Sequence, residues 1–136
     1  MKLTYSRLAA IALYSLAAVT LTAPLRAADL SEADKQFLAG YEHVRAALAA
    51  DNLAEAKKSA AELAEEGAPI AKAESIVVAR KEFAALSERA IKLAAGQSAY
   101  YVVNCPMLKK EWVQPKGAIS NPYAGSSMLT CGAIKK

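Results

Sequence analysis

Four sulfur-bearing residues that could act together lie near the C-terminal end of this 136-residue chain. Cys105 opens Cys-Pro-Met with Met107, and Met128 begins Met-Leu-Thr-Cys-Gly, which contains Cys131. The chain has only these two cysteines, and its third methionine is Met1. Thiolate and thioether ligands select Cu(I), and by the same softness Ag(I), over Mg(II), Ca(II) or Mn(II). Zinc favours Cys, His or carboxylate ligands, is poorly served by thioethers, and would find a single histidine here, His43. Cys105, Met107, Met128 and Cys131 are therefore the candidate metal ligands, with Cu(I) or Ag(I) as the candidate ion. Two thiolates around one such ion leave a net negative charge, which Lys109 and Lys110 are placed to screen. Trp112 either lies against the metal as a cation–π partner or packs in the core, the commoner fate of a lone tryptophan.

A second chemistry competes for the same cysteines. One pair of cysteines in an exported chain is the usual signature of a single disulfide. Closing a loop of this length contributes about 3–4 kcal/mol in the chain-entropy model. The result would be a disulfide-stapled helical interaction module without metal. A bridge gives no reason for a methionine at both ends of the loop, or for Pro106 directly after Cys105. A reversible switch between the two states is also open.

The elements that must hold this loop are mostly helical. Ser31 followed by Asp34 has helix-capping spacing, and Phe37, Tyr41, Val44 and Leu48 then recur on one helical face. His43 lies off that stripe and is expected on the surface. Asp51-Asn52 ends this helix and opens the next, with Asn52 and Glu55 again at N-cap spacing. Leu53, Ala56, Ala60 and Leu63 are expected to face inwards, and Gly67 is placed to act as the C′ residue. The short connection predicts an antiparallel hairpin of helices. Pro69 suits the first turn of a third helix that either runs unbroken to Ala95 or restarts at Ser75. Ile76, Ala79, Phe83, Leu86, Ala90, Ile91 and Ala94 mark its buried side.

Arg80 and Ser87 fall within that apolar stripe, and a guanidinium there must snorkel or find acceptors. Two readings stand: a salt bridge to a carboxylate of the first or second helix, or a role for both residues in holding carbonyls of the C-terminal loop. Ala99 to Val103 has strand composition and leads into Cys105, and Ala133-Ile134 is a possible partner strand. Pairing them brings the cysteines together. The predicted fold is thus mainly α, an antiparallel bundle of three or four helices followed by a short β-hairpin-like segment with an irregular Cys/Met loop.

Residues 1–27 read as an export signal and not as part of the fold. Lys2 and Arg7 form a basic start, Leu8 to Ala23 is mostly apolar, and Leu25-Arg26-Ala27 resembles a small-residue cleavage site. The apolar run is shorter than the roughly 20 residues of a spanning helix. This predicts a periplasmic or secreted protein with no membrane span after signal removal, and one domain over residues 28–136 with its Cys/Met motif in 98–136. Without Lys2, Arg7 and Arg26 the basic count falls from 17 to 14, against 13 acidic residues. So near-neutral a charge gives no reason to expect nucleic acid as a partner. No Cys-x-x-Cys redox pair, haem motif or glycine-rich phosphate loop occurs, and Glu62, Glu65 and Glu66 form a helical surface run, so catalysis is not expected.

The segments Tyr-Tyr-Val-Val-Asn-Cys-Pro-Met, Trp112-Val113, Asn-Pro-Tyr-x-Gly and Met-Leu-Thr-Cys-Gly resemble the domain-of-unknown-function family numbered 3347. Arg80 to Ser87, Arg-Lys-Glu-Phe-Ala-Ala-Leu-Ser, is similar to that family's last helix. The resemblance covers essentially all of the chain after the signal. It implies an exported domain of a kind also found as an extension of periplasmic adaptor subunits of copper and silver efflux pumps, so an efflux adaptor or pump is the implied partner. Carried over by position, it marks Cys105, Met107, Met128 and Cys131 as the sulfur set. Asn121, Pro122, Tyr123 and Gly125 become the turn that presents the second sulfur pair. Leu108 stands where the family often has alanine, and Ala124 where an aromatic is common.

Overall fold

Ser31 starts the first helix as its spacing requires, with Oγ accepting from the Asp34 N–H at 3.1 Å. The computed structural model describes residues 29–135, so the expected export signal lies outside the described residues. Helix α1 spans Glu32–Ala49, α2 Leu53–Ala61, α3 Ala64–Ala71 and α4 Ile76–Ala94. Strands β1 (Tyr100–Cys105), β2 (Lys110–Pro115) and β3 (Ala133–Ile134) follow, with a 3-10 turn at Gly125–Met128 before β3. The described protein is mainly α, with a small antiparallel sheet of order β2-β1-β3. None of its helices is long and apolar enough to cross a membrane.

Asp51 adopts a left-handed φ of 57° between α1 and α2, and Asn52 caps α2 through a 3.0 Å bond from the Glu55 N–H. The chain restarts at Ser75, whose Oγ caps α4 at Val78. Two expectations here are corrected. Gly67 does not end α2 but sits buried inside α3, where a Cβ would run into the main-chain oxygen of Ala60. Its bare Cα lets α3 close against the end of α2. Pro69 lies past the first turn of α3, where it supplies no N–H to the helix, and α3 ends two residues later at Ala71.

The expected stripes form the core. Phe37, Tyr41, Val44, Leu48, Ala56, Ala60, Phe83, Leu86 and Ala90 are buried together, and His43 is exposed. Val102 and Val113 turn one face of the sheet onto this helical core. Val103, Cys105 and Trp112 lie on the other face, in a second cluster with Ile119, Tyr123 and Cys131 of the C-terminal segment. The expected pairing of the Tyr-Tyr-Val-Val strand with Ala133-Ile134 is present, as Val103↔Ile134 and Asn104↔Ala133. The longer partner of β1 is β2, which was not anticipated, in register from Tyr100↔Pro115 to Cys105↔Lys110.

Candidate functional site

Cys105 ends β1 and Cys131 lies just before β3, so the sheet draws the two together on one face. Both are free thiols, with Cys105 fully buried and Cys131 partly exposed. They pack in one cluster, and each shifts the titration of the other. Burial acts most strongly on Cys105 and pushes its thiol up. Hydrogen bonds from the Cys131 thiol, the Leu108 and Met107 N–H groups and the Asn121 amide outweigh it and hold the Cys105 thiol below its ordinary value. Cys131 moves up because its proton is bonded to Cys105, with burial and the Cys105 charge acting in the same direction. The two thiols are therefore shifted in opposite directions, the buried one down and the outer one up.

The turn after β1 explains the donors. Pro106 brings no N–H, and Lys109 closes the turn with a left-handed φ of 51°, so the Met107 and Leu108 amides belong to the turn that directly follows Cys105. The Met107 N–H also acts on Cys131, but its side chain is 74% exposed. Met128 is partly buried at the end of the 3-10 turn, and its main-chain oxygen accepts from the Cys131 N–H at 3.0 Å. Each methionine thus adjoins the thiol pair through its backbone. Among the described residues, no three His, Cys, Asp or Glu side chains converge on one point.

Asn121 organises the other wall. Its side chain donates to the Cys131 carbonyl at 3.0 Å and accepts from the Tyr123 N–H at 2.9 Å, an Asx turn that Pro122 favours by having no N–H to compete. Its own N–H reaches Leu129 O at 2.8 Å. Trp112 is wholly buried beside Cys105, with its Nε1 donating to Gln114 at 3.0 Å, and it packs edge-on to Tyr123 at 6.3 Å. Core packing is thus its observed role. Phe83 contacts Tyr123 at 5.6 Å and Tyr41 at 5.1 Å, so a run of rings joins the sulfur cluster to the helical core.

No family model, curated protein or solved structure matches this chain.

Arg80 combines the two roles set out for it. Nε donates to Pro122 O at 2.8 Å, while Nη2 donates to Leu48 O at 2.8 Å and to Asp51 at 2.5 Å. Ser87 differs from its expected role: it holds no loop carbonyl but accepts from the Tyr123 hydroxyl at 2.9 Å and lies 3.3 Å from the Tyr41 hydroxyl. Burial pushes Tyr123 up to about 12, although the Ser87 bond pulls the other way. Gly125 is buried with φ 57°, and a Cβ there would meet Asp51 and Arg80.

Three supporting residues were missed. Arg45, 7% exposed, donates to Ser120 O at 2.7 Å and pairs with Glu42. Asp51 accepts from both the N–H and the hydroxyl of Ser126. Gln114 accepts from Trp112 and the Ser120 N–H and donates to Ala118 O. Arg45 was detectable, because it stands four residues after Tyr41 and three before Leu48 on the apolar stripe. The roles of Asp51 and Gln114 depend on long-range contacts that leave no local signal.

Proposed function

We propose that this protein is a periplasmic Cu(I)- or Ag(I)-binding protein that buffers the ion or delivers it to an efflux system, and that it belongs with the exported domains it resembles. The observation that carries this is the pair of free thiols that the sheet brings together in one cluster. A buried thiol held below its ordinary value gives up its proton to a cation more readily, and a second thiol packs in the same cluster. Cys105 and Cys131 are the thiolate ligands, and Met107 and Met128 the candidate thioethers. Loading one ion displaces the protons of the coordinating thiols, so apparent affinity rises with pH until both are ionised. Lys109 and Lys110 offset the negative charge that remains. Met107, though exposed, can swing onto a bound ion because its side chain is not fixed by packing.

A competitive Cu(I) titration of the reduced protein tests this, together with thiol counting on protein taken from the periplasm. One tightly held ion per chain, lost in Cys105→Ser and Cys131→Ser, is the expected result. A pair fully oxidised on isolation, resistant to reduction and unable to hold Cu(I) once reduced, overturns it. The contact between the two sulfurs also favours a second reading, a Cys105–Cys131 disulfide that staples the C-terminal loop of an interaction module. That module would show the second result.

A further inference from the structure

Beside the thiol pair, α4 and the turn after β1 enclose a groove of about 360 Å³ lined by Val77, Arg80, Lys81, Leu108, Lys110 and Tyr123. We propose that this groove docks an acidic segment of a partner protein that carries an apolar side chain. Its charge is one-sided, since the lining has three cations and no carboxylate. Arg80 is neutralised by Asp51. Among the described residues no carboxylate pairs with Lys81 or Lys110, and Lys110 only approaches the face of the Tyr123 ring, at 5.6 Å. A neighbouring depression contains Glu88 and Glu111, but Glu111 is held by Lys135 at 2.8 Å.

The floor is apolar, built from Leu108, Tyr123 and Val77. Val77 is 72% exposed in the first turn of α4. A valine that both lines the groove and faces solvent leaves its side open to something longer than a small molecule. An apolar anchor against Val77 and Leu108, with carboxylates reaching Lys81 and Lys110, satisfies both features. Leu108 also packs in the cluster that holds Cys105 and Cys131, so a docked segment would border the thiols. The inference deepens the copper reading by assigning a delivery partner of this chemistry, and rests on that reading only for its purpose.

The test uses the purified protein and an acetylated pentapeptide of Glu and Asp around a central Leu, followed by amide NMR shifts. Shifts at Val77, Lys81, Leu108 and Lys110 are expected, along with binding that weakens as salt is added. Lys81→Glu and Val77→Ser are each expected to weaken binding by about tenfold. A peptide with Lys in place of the acids, and glutarate alone, are expected not to bind. The proposal fails if the acidic peptide leaves those amides unmoved, if Lys81→Glu binds it unchanged, or if glutarate binds as well as the peptide, which marks a small-carboxylate site instead. Cu(I) titration of Lys81→Glu keeps the two readings apart. Peptide binding without Cu(I) binding in the parent removes only the copper reading, and the reverse removes only the docking site.

Discussion

Asn121 holds Cys131 through a 3.0 Å hydrogen bond from its side-chain amide to the cysteine's carbonyl. The same amide helps to lower the Cys105 thiol, so one wholly buried side chain acts on both cysteines. Asn121→Ala leaves the Tyr123 N–H and the Cys131 carbonyl without their partner. The expected cost is about 1–3 kcal/mol in urea unfolding. The Cys105 thiol is also expected to titrate at higher pH, followed by its 13Cβ shift. An unchanged titration means that the turn amides alone lower it.

The methionines separate a four-sulfur site from a pair of thiols. Replacing Met107 and Met128 together by Leu keeps volume nearly constant, and swaps of this kind cost less than about 1.5 kcal/mol even in a core. Folding is expected to persist while Cu(I) affinity falls and X-ray absorption loses its longer sulfur contacts. Parental affinity in the double variant would reduce the site to Cys105 and Cys131.

Gly125→Ala is expected to destabilise the fold by at least about 1–2 kcal/mol, because φ 57° disfavours any Cβ and this one meets the Asp51–Arg80 pair. Thermal unfolding reads the effect. The same substitution in an Asp51→Ala background should cost less, since one of the two clashing groups is then gone.

Hydrogen bonds from the Ser126 hydroxyl, then from Arg80 and the Ser126 N–H, hold the Asp51 carboxyl well below its ordinary value. A carboxylate lowered in the folded state contributes stability that is present above the unfolded value and is lost as pH falls through the folded one. Stability is therefore expected to decline below about pH 4, with part of that slope absent in Asp51→Asn. Urea midpoints measured across the acid range check this, and parallel curves for the two proteins would show that Asp51 does not contribute.

The helix starts at Ser31 and Asn52 were legible because a cap is a contact between residues three apart, whereas the restart at Ser75 was one of two open alternatives that the structure decided. The stripes through Phe37, Tyr41, Val44 and Leu48, and through Ala79, Phe83, Leu86 and Ala90, were legible because helical periodicity is written locally. Gly67 was misread because the same residue serves a C′ position and a close helix approach, and only the position of the Ala60 carbonyl distinguishes them. Strand β2 was missed because Lys110 to Pro115 alternates weakly and gains its definition from pairing with β1.

By itself the sequence determined which residue types could meet in the C-terminal segment, four sulfurs among turn-forming residues. It also determined that a helical layer would support them. Tertiary structure alone decided that Cys105 is the buried thiol, shifted down, and Cys131 the outer one, shifted up, because that asymmetry comes in part from amides of Met107, Leu108 and Asn121 arriving from two separate turns. It likewise decided that Arg80 and Arg45 hold the loop at Pro122 and Ser120, contacts that span 42 and 75 residues of chain. Local pattern shows that a buried arginine needs acceptors. Which carbonyls it takes depends on how distant elements pack, and no local spacing encodes that.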